Sequence, residues 1–156
     1  MSEPSALAGR IHTYLEDVKT AVNRALSLSE KAKQSGDDGY WDGVALNLHG
    51  FYTGVERIFE DIARTLEKNL PDGEQWHIDL LAQMASEIEG LRPAVISRET
   101  RNCLDAYRGL RHVIRNVYAF NLRPGRLNEL ISDLPGCFQA IEQDLTAFAK
   151  FLEGID

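Results

Sequence analysis

The feature that most constrains the fold is an apolar residue at every third or fourth position, a pattern that recurs in five segments of the chain. This spacing lines one face of an α-helix, whereas a half-buried strand alternates at every second residue. No alternating run is long enough to indicate a strand, so we expect an all-α protein. The pattern predicts helices over about 7–29, 40–69, 74–89 and 98–121, and a fifth whose apolar seam spans 134–152.

Turn-forming residues separate these segments. Gly36–Gly39 breaks the first helix, Leu70–Gly73 ends the second, and Gly90 ends the third. Short connections between long amphipathic helices favour antiparallel neighbours, which predicts an up-and-down bundle of four or five helices. We expect Pro135 to kink or divide the last helix. No Ser, Pro or Gly-rich linker interrupts the chain, so residues 1–156 are expected to form a single domain.

Cysteine usage and hydropathy indicate the class of protein. The chain has 156 residues and two cysteines, Cys103 and Cys137, too few for a disulfide framework. We therefore expect buried thiols in a reducing compartment. No apolar run approaches the roughly 20 residues that a membrane span requires. These observations predict a cytoplasmic protein with no membrane association.

Charge is distributed unevenly along the chain. The net charge of −7 argues against a protein that coats nucleic acid indiscriminately. Between Arg98 and Arg126, however, seven arginines face only two acids, Glu99 and Asp105, which gives this stretch a net charge of +5. Arginine presents a planar fork of donors that matches phosphate or carboxylate. We therefore infer a local anion-binding site on an otherwise acidic protein. The arginines are residues 98, 101, 108, 111, 115, 123 and 126.

The fourth predicted helix concentrates this charge on one side. Arg108, Arg111, His112 and Arg115 follow one another at i, i+3, i+4 and i+7 and therefore share a helical face. Like charges at this spacing repel by a few tenths of a kcal/mol per pair, roughly, so an attracting anion would offset the repulsion. A solvent-exposed face with surface acids nearby explains the same spacing, so the sequence is compatible with an anion site and with a solvated face.

A second polar line lies on the second predicted helix, where His49, Tyr52 and Glu56 stand at i, i+3 and i+7. Gly50 and Gly54 lie beside it, and small residues four apart allow a close helix crossing. An internal hydrogen-bonded cluster at a tight crossing explains this pattern, and a catalytic role is the alternative.

Near the start of the third predicted helix, Trp76 and His77 are expected to be a core anchor and its polar neighbour, and Ile78, Leu81 and Met84 to form the apolar face. The chain contains no HExxH, CxxC or EF-hand pattern, so we expect no metal. It also lacks a glycine-rich phosphate loop, and we expect no cofactor.

Four stretches together resemble the HepT-like branch of the HEPN superfamily, and the resemblance extends over nearly the full length of the chain. They are Leu48–Ala63, Trp76–Leu81 with Met84, Arg92–Ser97 and Tyr107–Phe120. The resemblance implies a helical bundle that forms homodimers. Family members are typically toxins of toxin–antitoxin pairs that act as metal-independent endoribonucleases, and their partner is a minimal nucleotidyltransferase (MNT) antitoxin.

The family motif, R-x4-6-H followed by a tyrosine, implies a catalytic site at Arg111, Asn116 and Tyr118. Asn116 stands where the family has histidine. An amide cannot exchange a proton near neutral pH as an imidazole does, so we expect an impaired or inactive ribonuclease. Asn116 could be native in a binding subunit or a disarming substitution. Alternatively, His112 has taken over the role.

The resemblance also implies how the cationic face is used. Arg108, His112 and Arg115 are expected to bind RNA, and two copies of the face around a dimer axis would form an electropositive cleft. In this family the antitoxin can transfer AMP to the tyrosine beside the motif, which makes Tyr118 a modification site. The alternative class is a non-enzymatic helical adaptor whose arginines pair with acidic residues of a nucleotidyltransferase or another protein.

Overall fold

The computed structural model describes residues 2–116 and 124–155, and for 111–116 it describes the backbone alone. Within these residues the chain forms five α-helices and no β-strand, which confirms the predicted all-α class. A π-helical turn, Ala63–Glu67, continues the second helix. The helices are α1 Glu3–Ser35, α2 Gly39–Ile62, α3 Trp76–Met84, α4 Arg98–Asn116 and α5 Pro124–Glu153.

The long helices run antiparallel to their neighbours. α1 packs along both α2 and α5, α4 packs against the same two helices, and α3 lies on α2. Contacts between helix ends show the directions: Arg10 near the start of α1 pairs with Asp61 at the end of α2, and His12 lies 4.0 Å from Glu153 at the end of α5. The structure is thus the up-and-down bundle that the sequence predicts. None of the described helices is both long enough and apolar enough to cross a membrane.

The helix ends carry the expected signals. The Ser2 hydroxyl accepts a hydrogen bond from the Ser5 backbone N–H at the start of α1, and α1 ends at Gly36 in the left-handed conformation with φ 72°. At α4 the Thr100 backbone N–H donates to the Ser97 hydroxyl at 3.1 Å. Ser97 is therefore the N-cap of α4.

The third helix is shorter than predicted, because backbone N–H groups from the segment before α4 form hydrogen bonds with the carbonyl group at its end. α3 ends at Met84, whose carbonyl oxygen accepts hydrogen bonds from the backbone N–H groups of Val95 and Ile96. Gly90, with φ 81°, lies in a tight turn closed by a bridge between residues 88 and 92, rather than at a helix end. α3 also buries Leu80 with Leu81 and Met84, and leaves Ile78 37% exposed.

Pro135 does not divide the last helix, which runs unbroken from Pro124 to Glu153. Proline removes one backbone hydrogen bond inside a helix. Leu134, Cys137 and Phe138 flank it and are buried in the core, and their packing holds the helix together across the missing bond. Pro124 occupies the first helical position, where its lack of an N–H removes no helical hydrogen bond.

The expectation of free buried thiols is wrong. Cys103 on α4 and Cys137 on α5 form a disulfide, with their Cα atoms 5.8 Å apart. The two residues are 34 positions apart in sequence, and antiparallel packing of α4 against α5 brings them face to face. Sequence spacing alone could not reveal this, because it does not give the register between two helices.

α1 and α2 cross closely at glycine, as the Gly50 and Gly54 pattern indicates. A Cβ atom added to Gly54 would lie 2.8 Å from Cγ2 of Val18, closer than real contacts allow. A Cβ atom added to Gly50 would lie 3.9 Å from Cβ of Ala21, an ordinary contact. The close approach therefore occurs at Gly54, while Gly50 leaves room for a methyl group.

We predict opposite effects for alanine at these two glycines. Gly54→Ala should destabilise the protein by about 1–3 kcal/mol, because Val18 is β-branched and cannot swing its methyl group aside. Gly50→Ala should be neutral or stabilise by up to about 1 kcal/mol through helix propensity. Urea denaturation followed by circular dichroism measures both. Equal effects at the two positions would contradict the close crossing at Gly54.

A buried ion pair ties the end of α2 to the segment before α4. Arg92 donates from Nε and Nη2 to both carboxylate oxygens of Glu67, at 3.0 Å each. The Arg92 side chain is 0% exposed and that of Glu67 is 4% exposed. Arg92 also donates to the carbonyl oxygens of Gln83, Ser86 and Pro93, so all its donor nitrogens are used. The pair is therefore desolvated but fully satisfied.

Breaking this pair should be costly. Arg92→Ala leaves the Glu67 carboxylate buried without its counter-charge, and we expect a loss of about 3–5 kcal/mol in the free energy of unfolding. Arg126→Ala, the matched control, breaks an exposed pair with Glu129 and should change stability by less than about 1 kcal/mol. Urea denaturation of the two variants compares them. If Arg92→Ala lowers the free energy of unfolding no more than Arg126→Ala does, the buried pair does not stabilise the fold.

Candidate functional site

The cationic helix α4 has two distinct sides. Leu104, Tyr107 and Leu110 are buried against the bundle, and Asp105 and Gly109 face outward. Arg108 lies at the border, with its side chain 26% exposed. The apolar spacing predicts a core face through Cys103, Ala106 and Leu110. The structure buries Leu110 but leaves Cys103 and Ala106 only partly buried, because the buried face is centred on Leu104 and Tyr107.

Arg108 has a carboxylate partner on its own helix. Its Nε donates to Oδ1 of Asp105 at 2.8 Å, and the Asp105 side chain is 58% exposed. Arg126 at the start of α5 pairs in the same way with Glu129, at 3.1 Å between two exposed side chains. Exposed pairs of this kind contribute at most about 1 kcal/mol and are screened by salt. A phosphate group could therefore replace either carboxylate.

Most of the predicted site falls outside the described side chains. Arg111, His112, Arg115 and Asn116 have helical backbone in α4, and Tyr118 lies outside the described residues. Because α4 is helical through Asn116, residues 108, 111, 112 and 115 occupy positions within one arc of the helix. The backbone thus has the geometry that the sequence spacing assumes.

Three ties hold α4 against α5 in an antiparallel register. Residues later in α4 contact residues earlier in α5. The last turns of α4 therefore lie beside the first turns of α5. In order along α4, the ties are the Thr100 hydroxyl donating to Asp144 at 2.7 Å, the disulfide between Cys103 and Cys137, and the Tyr107 hydroxyl donating to the Leu130 carbonyl at 2.7 Å.

Tyr107 is a structural residue beside the candidate site. It is 1% exposed, and its ring meets Phe51 of α2 edge to face at 5.2 Å. Burial, reinforced by the nearby charge of Asp133, raises the pKa of the Tyr107 phenol well above its ordinary value, and Arg126 opposes this only in part. The phenol therefore remains protonated and serves as the hydrogen-bond donor to Leu130.

Glu56, one member of the second polar line, joins two helices. Oε2 of Glu56 lies 2.6 Å from Nδ1 of His77, and the two side chains are 5% and 21% exposed. The His77 ring lies 3.5 Å from that of Trp76. His77 thus connects α3 to α2 as the predicted polar neighbour, whereas Trp76, the predicted core anchor, packs against the core but is only partly buried. Sequence reasoning placed Glu56 and His77 in separate groups because they are 21 residues apart.

Some partners of the site were not identified from sequence. Asp105 stands three residues before Arg108, a spacing typical of a helical ion pair, and this signal could have revealed the pairing. The Glu67–Arg92 pair had no comparable signal, because 25 residues separate its members. Among the described residues no cluster of histidine, cysteine or acidic side chains could hold a metal ion.

An all-α bundle with an arginine-rich amphipathic helix, followed by a helix that packs back against it, defines the class to which the chain belongs. A protein-family model described as HepT-like protein matches residues 43–152. This chain therefore belongs to the HepT-like family, and the match includes all four stretches on which the resemblance rests. No curated protein and no solved structure matches the chain at a significant level.

Proposed function

We propose that this protein is the toxin-side subunit of a prokaryotic toxin–antitoxin pair, an RNA-binding homodimer of endoribonuclease ancestry. Membership of the HepT-like family carries the proposal, since the family is associated with toxin–antitoxin pairs and the matched residues include the whole cationic helix. The antitoxin would be a minimal nucleotidyltransferase, and both partners would act in the cytoplasm. Single-stranded or looped RNA is the substrate class, because its 2′-hydroxyl groups and bases are accessible.

The proposed roles follow the charge of each residue type. Arg111 would stabilise negative charge on the scissile phosphate, while Arg108 and Arg115 would hold neighbouring phosphates. Tyr118 would position the substrate or receive AMP. An added AMP would bring bulk and negative charge to the cleft and repel an incoming phosphate.

Asn116 limits the chemistry in this proposal. RNA cleavage by internal attack forms a bond from the 2′-oxygen to phosphorus and breaks the bond to the 5′-oxygen. The 2′-hydroxyl proton must be accepted, and the departing 5′-oxygen must receive one. Asn116 can only donate or accept hydrogen bonds, so the chain would bind RNA and cleave it feebly. His112 is the residue that could supply proton transfer in its place.

We predict that histidine restores cleavage. Asn116→His should cut single-stranded RNA about 10²- to 10⁴-fold faster than the parent chain, the range typical of a general acid or base. Asn116→Ala is the matched control and should remain as slow as the parent. The assay is single-turnover cleavage in EDTA. If neither the parent chain nor the histidine variant cleaves RNA, the proposal of endoribonuclease ancestry is wrong. Loss of parent activity in His112→Ala would identify His112 as the acting base.

Binding has a separate test that uses the Arg108–Asp105 pair. Asp105→Asn removes the carboxylate at 2.8 Å from Arg108 and leaves the guanidinium free to contact a phosphate. RNA affinity at low salt should rise about threefold to tenfold, and the slope of log K against log salt should steepen by up to about one. Asp42→Asn, which makes the same charge change at the start of α2, should leave both unchanged. Equal gains in the two variants would mean that net charge alone controls binding.

The adaptor alternative has its own supporting observation, which is that Arg108 and Arg126 already have carboxylate partners within the chain. Arginines that are already paired within the chain attract a phosphate backbone less strongly, which favours protein contacts over RNA binding. The absence of RNA binding at low salt, combined with tight association with the product of a neighbouring gene, would favour the adaptor and overturn the RNA proposal.

A further inference from the structure

The disulfide between Cys103 and Cys137 encloses the candidate site. It joins the first half of α4 to the middle of α5, and the two cysteines are 34 residues apart. Every residue assigned to the RNA interface, from Arg108 to Tyr118, lies inside the closed loop. The bond therefore acts on the one part of the chain that the proposed function uses.

Among the described ties between α4 and α5, this bond lies in the middle and is covalent. The tie on one side is the Thr100–Asp144 hydrogen bond, and the tie on the other is the Tyr107–Leu130 hydrogen bond. Single hydrogen bonds contribute about 1 kcal/mol each and open transiently. A cross-link removes the conformations in which the two helices separate, because its ends cannot move apart.

The two cysteine residues differ in exposure. Cys137 is 3% exposed on the inner face of α5, whereas Cys103 is only partly buried at the edge of α4. Cys103 is therefore the side of the bond on which we expect a small thiol to attack.

We propose that Cys103 and Cys137 form a reversible redox site that controls how firmly the α4–α5 hairpin is held, and with it the affinity of the interface for RNA. The oxidised chain is the tighter binder, because its arginine-bearing turns are held in place before RNA arrives. The effect on RNA rests on the proposed function, whereas the effect on the hairpin does not.

The chemistry is thiol–disulfide exchange with a small thiol. A thiolate attacks the Cys103 sulfur, forms a mixed disulfide and releases Cys137 as a thiolate, which takes up a proton. A second thiolate attacks the added sulfur, forms the external disulfide and releases Cys103, which is protonated in turn. Two external thiols are oxidised to one disulfide while the protein disulfide is reduced to two thiols. Oxidation by a small disulfide reverses both steps.

The first experiment follows the hairpin itself in the full-length chain. Hydrogen exchange read by mass spectrometry compares the oxidised chain with the chain reduced by dithiothreitol. Peptides from 104–116 and 124–136 should exchange about tenfold faster after reduction, as expected for a lost local constraint, while α1 peptides stay unchanged. Cys103→Ser and Cys137→Ser cannot form the bond and should exchange at the reduced rate with or without dithiothreitol. Equal exchange in oxidised and reduced chains would overturn the proposal.

Two further readouts complete the test. Alkylation before and after oxidation with diamide counts the thiols, and two free thiols per chain after oxidation would show that the bond does not form. RNA affinity at low salt should fall about tenfold on reduction, within the usual range of coupling between sites, and should recover on reoxidation. If RNA binds neither form while hydrogen exchange changes as expected, the proposed function fails and the redox site stands. If RNA binds both forms equally, the coupling fails and the proposed function stands.

Discussion

The buried pair of Glu67 and Arg92 is the constraint on which the placement of α4 depends. Glu67 ends the π-helical turn after α2, and Arg92 lies in the segment that leads to α4. Because both side chains are almost fully desolvated, separating them would leave an uncompensated charge in the interior. The chain between them must therefore fold so that its carbonyl oxygens meet the remaining guanidinium donors. That requirement closes the loop after α3 and fixes the point from which α4 starts.

The sequence predicted the long helices well because a single stripe of apolar residues determines each of them. α2 with its π-helical turn is close to its predicted bounds, whereas α1 extends four residues before and six residues beyond the predicted 7–29. The close crossing of the two helices follows from Gly54. α3 was overestimated because its apolar period continues beyond Met84, where the backbone N–H groups of Val95 and Ile96 take the Met84 carbonyl that a longer helix would use. Local pattern therefore gives the type of element, and contacts from distant residues decide where a short element ends.

The candidate site also has features that one helix determines and features that depend on contacts between helices. The arc of arginine positions on α4 is a property of one helix and could be read from spacing. The partners of the polar residues are properties of helix pairs: His77 for Glu56, and Cys137 for Cys103. No local pattern encodes the register between α4 and α5. The pairing of Asp105 with Arg108 is the exception, since both lie on one helix at a spacing that favours contact.

The charge of the protein and the chemistry of Asn116 can be understood together. An acidic surface repels RNA at long range, so any binding must come from the few positions where guanidinium groups are concentrated. Asp105 gives Arg108 a carboxylate partner of its own, which limits the repulsion between neighbouring cations while no anion is bound. Under the proposed function, asparagine in place of the motif histidine would remove proton transfer and leave the arginines in place. Such a chain would lose the capacity to cleave before it lost the capacity to bind, so binding is the property on which its proposed function would depend.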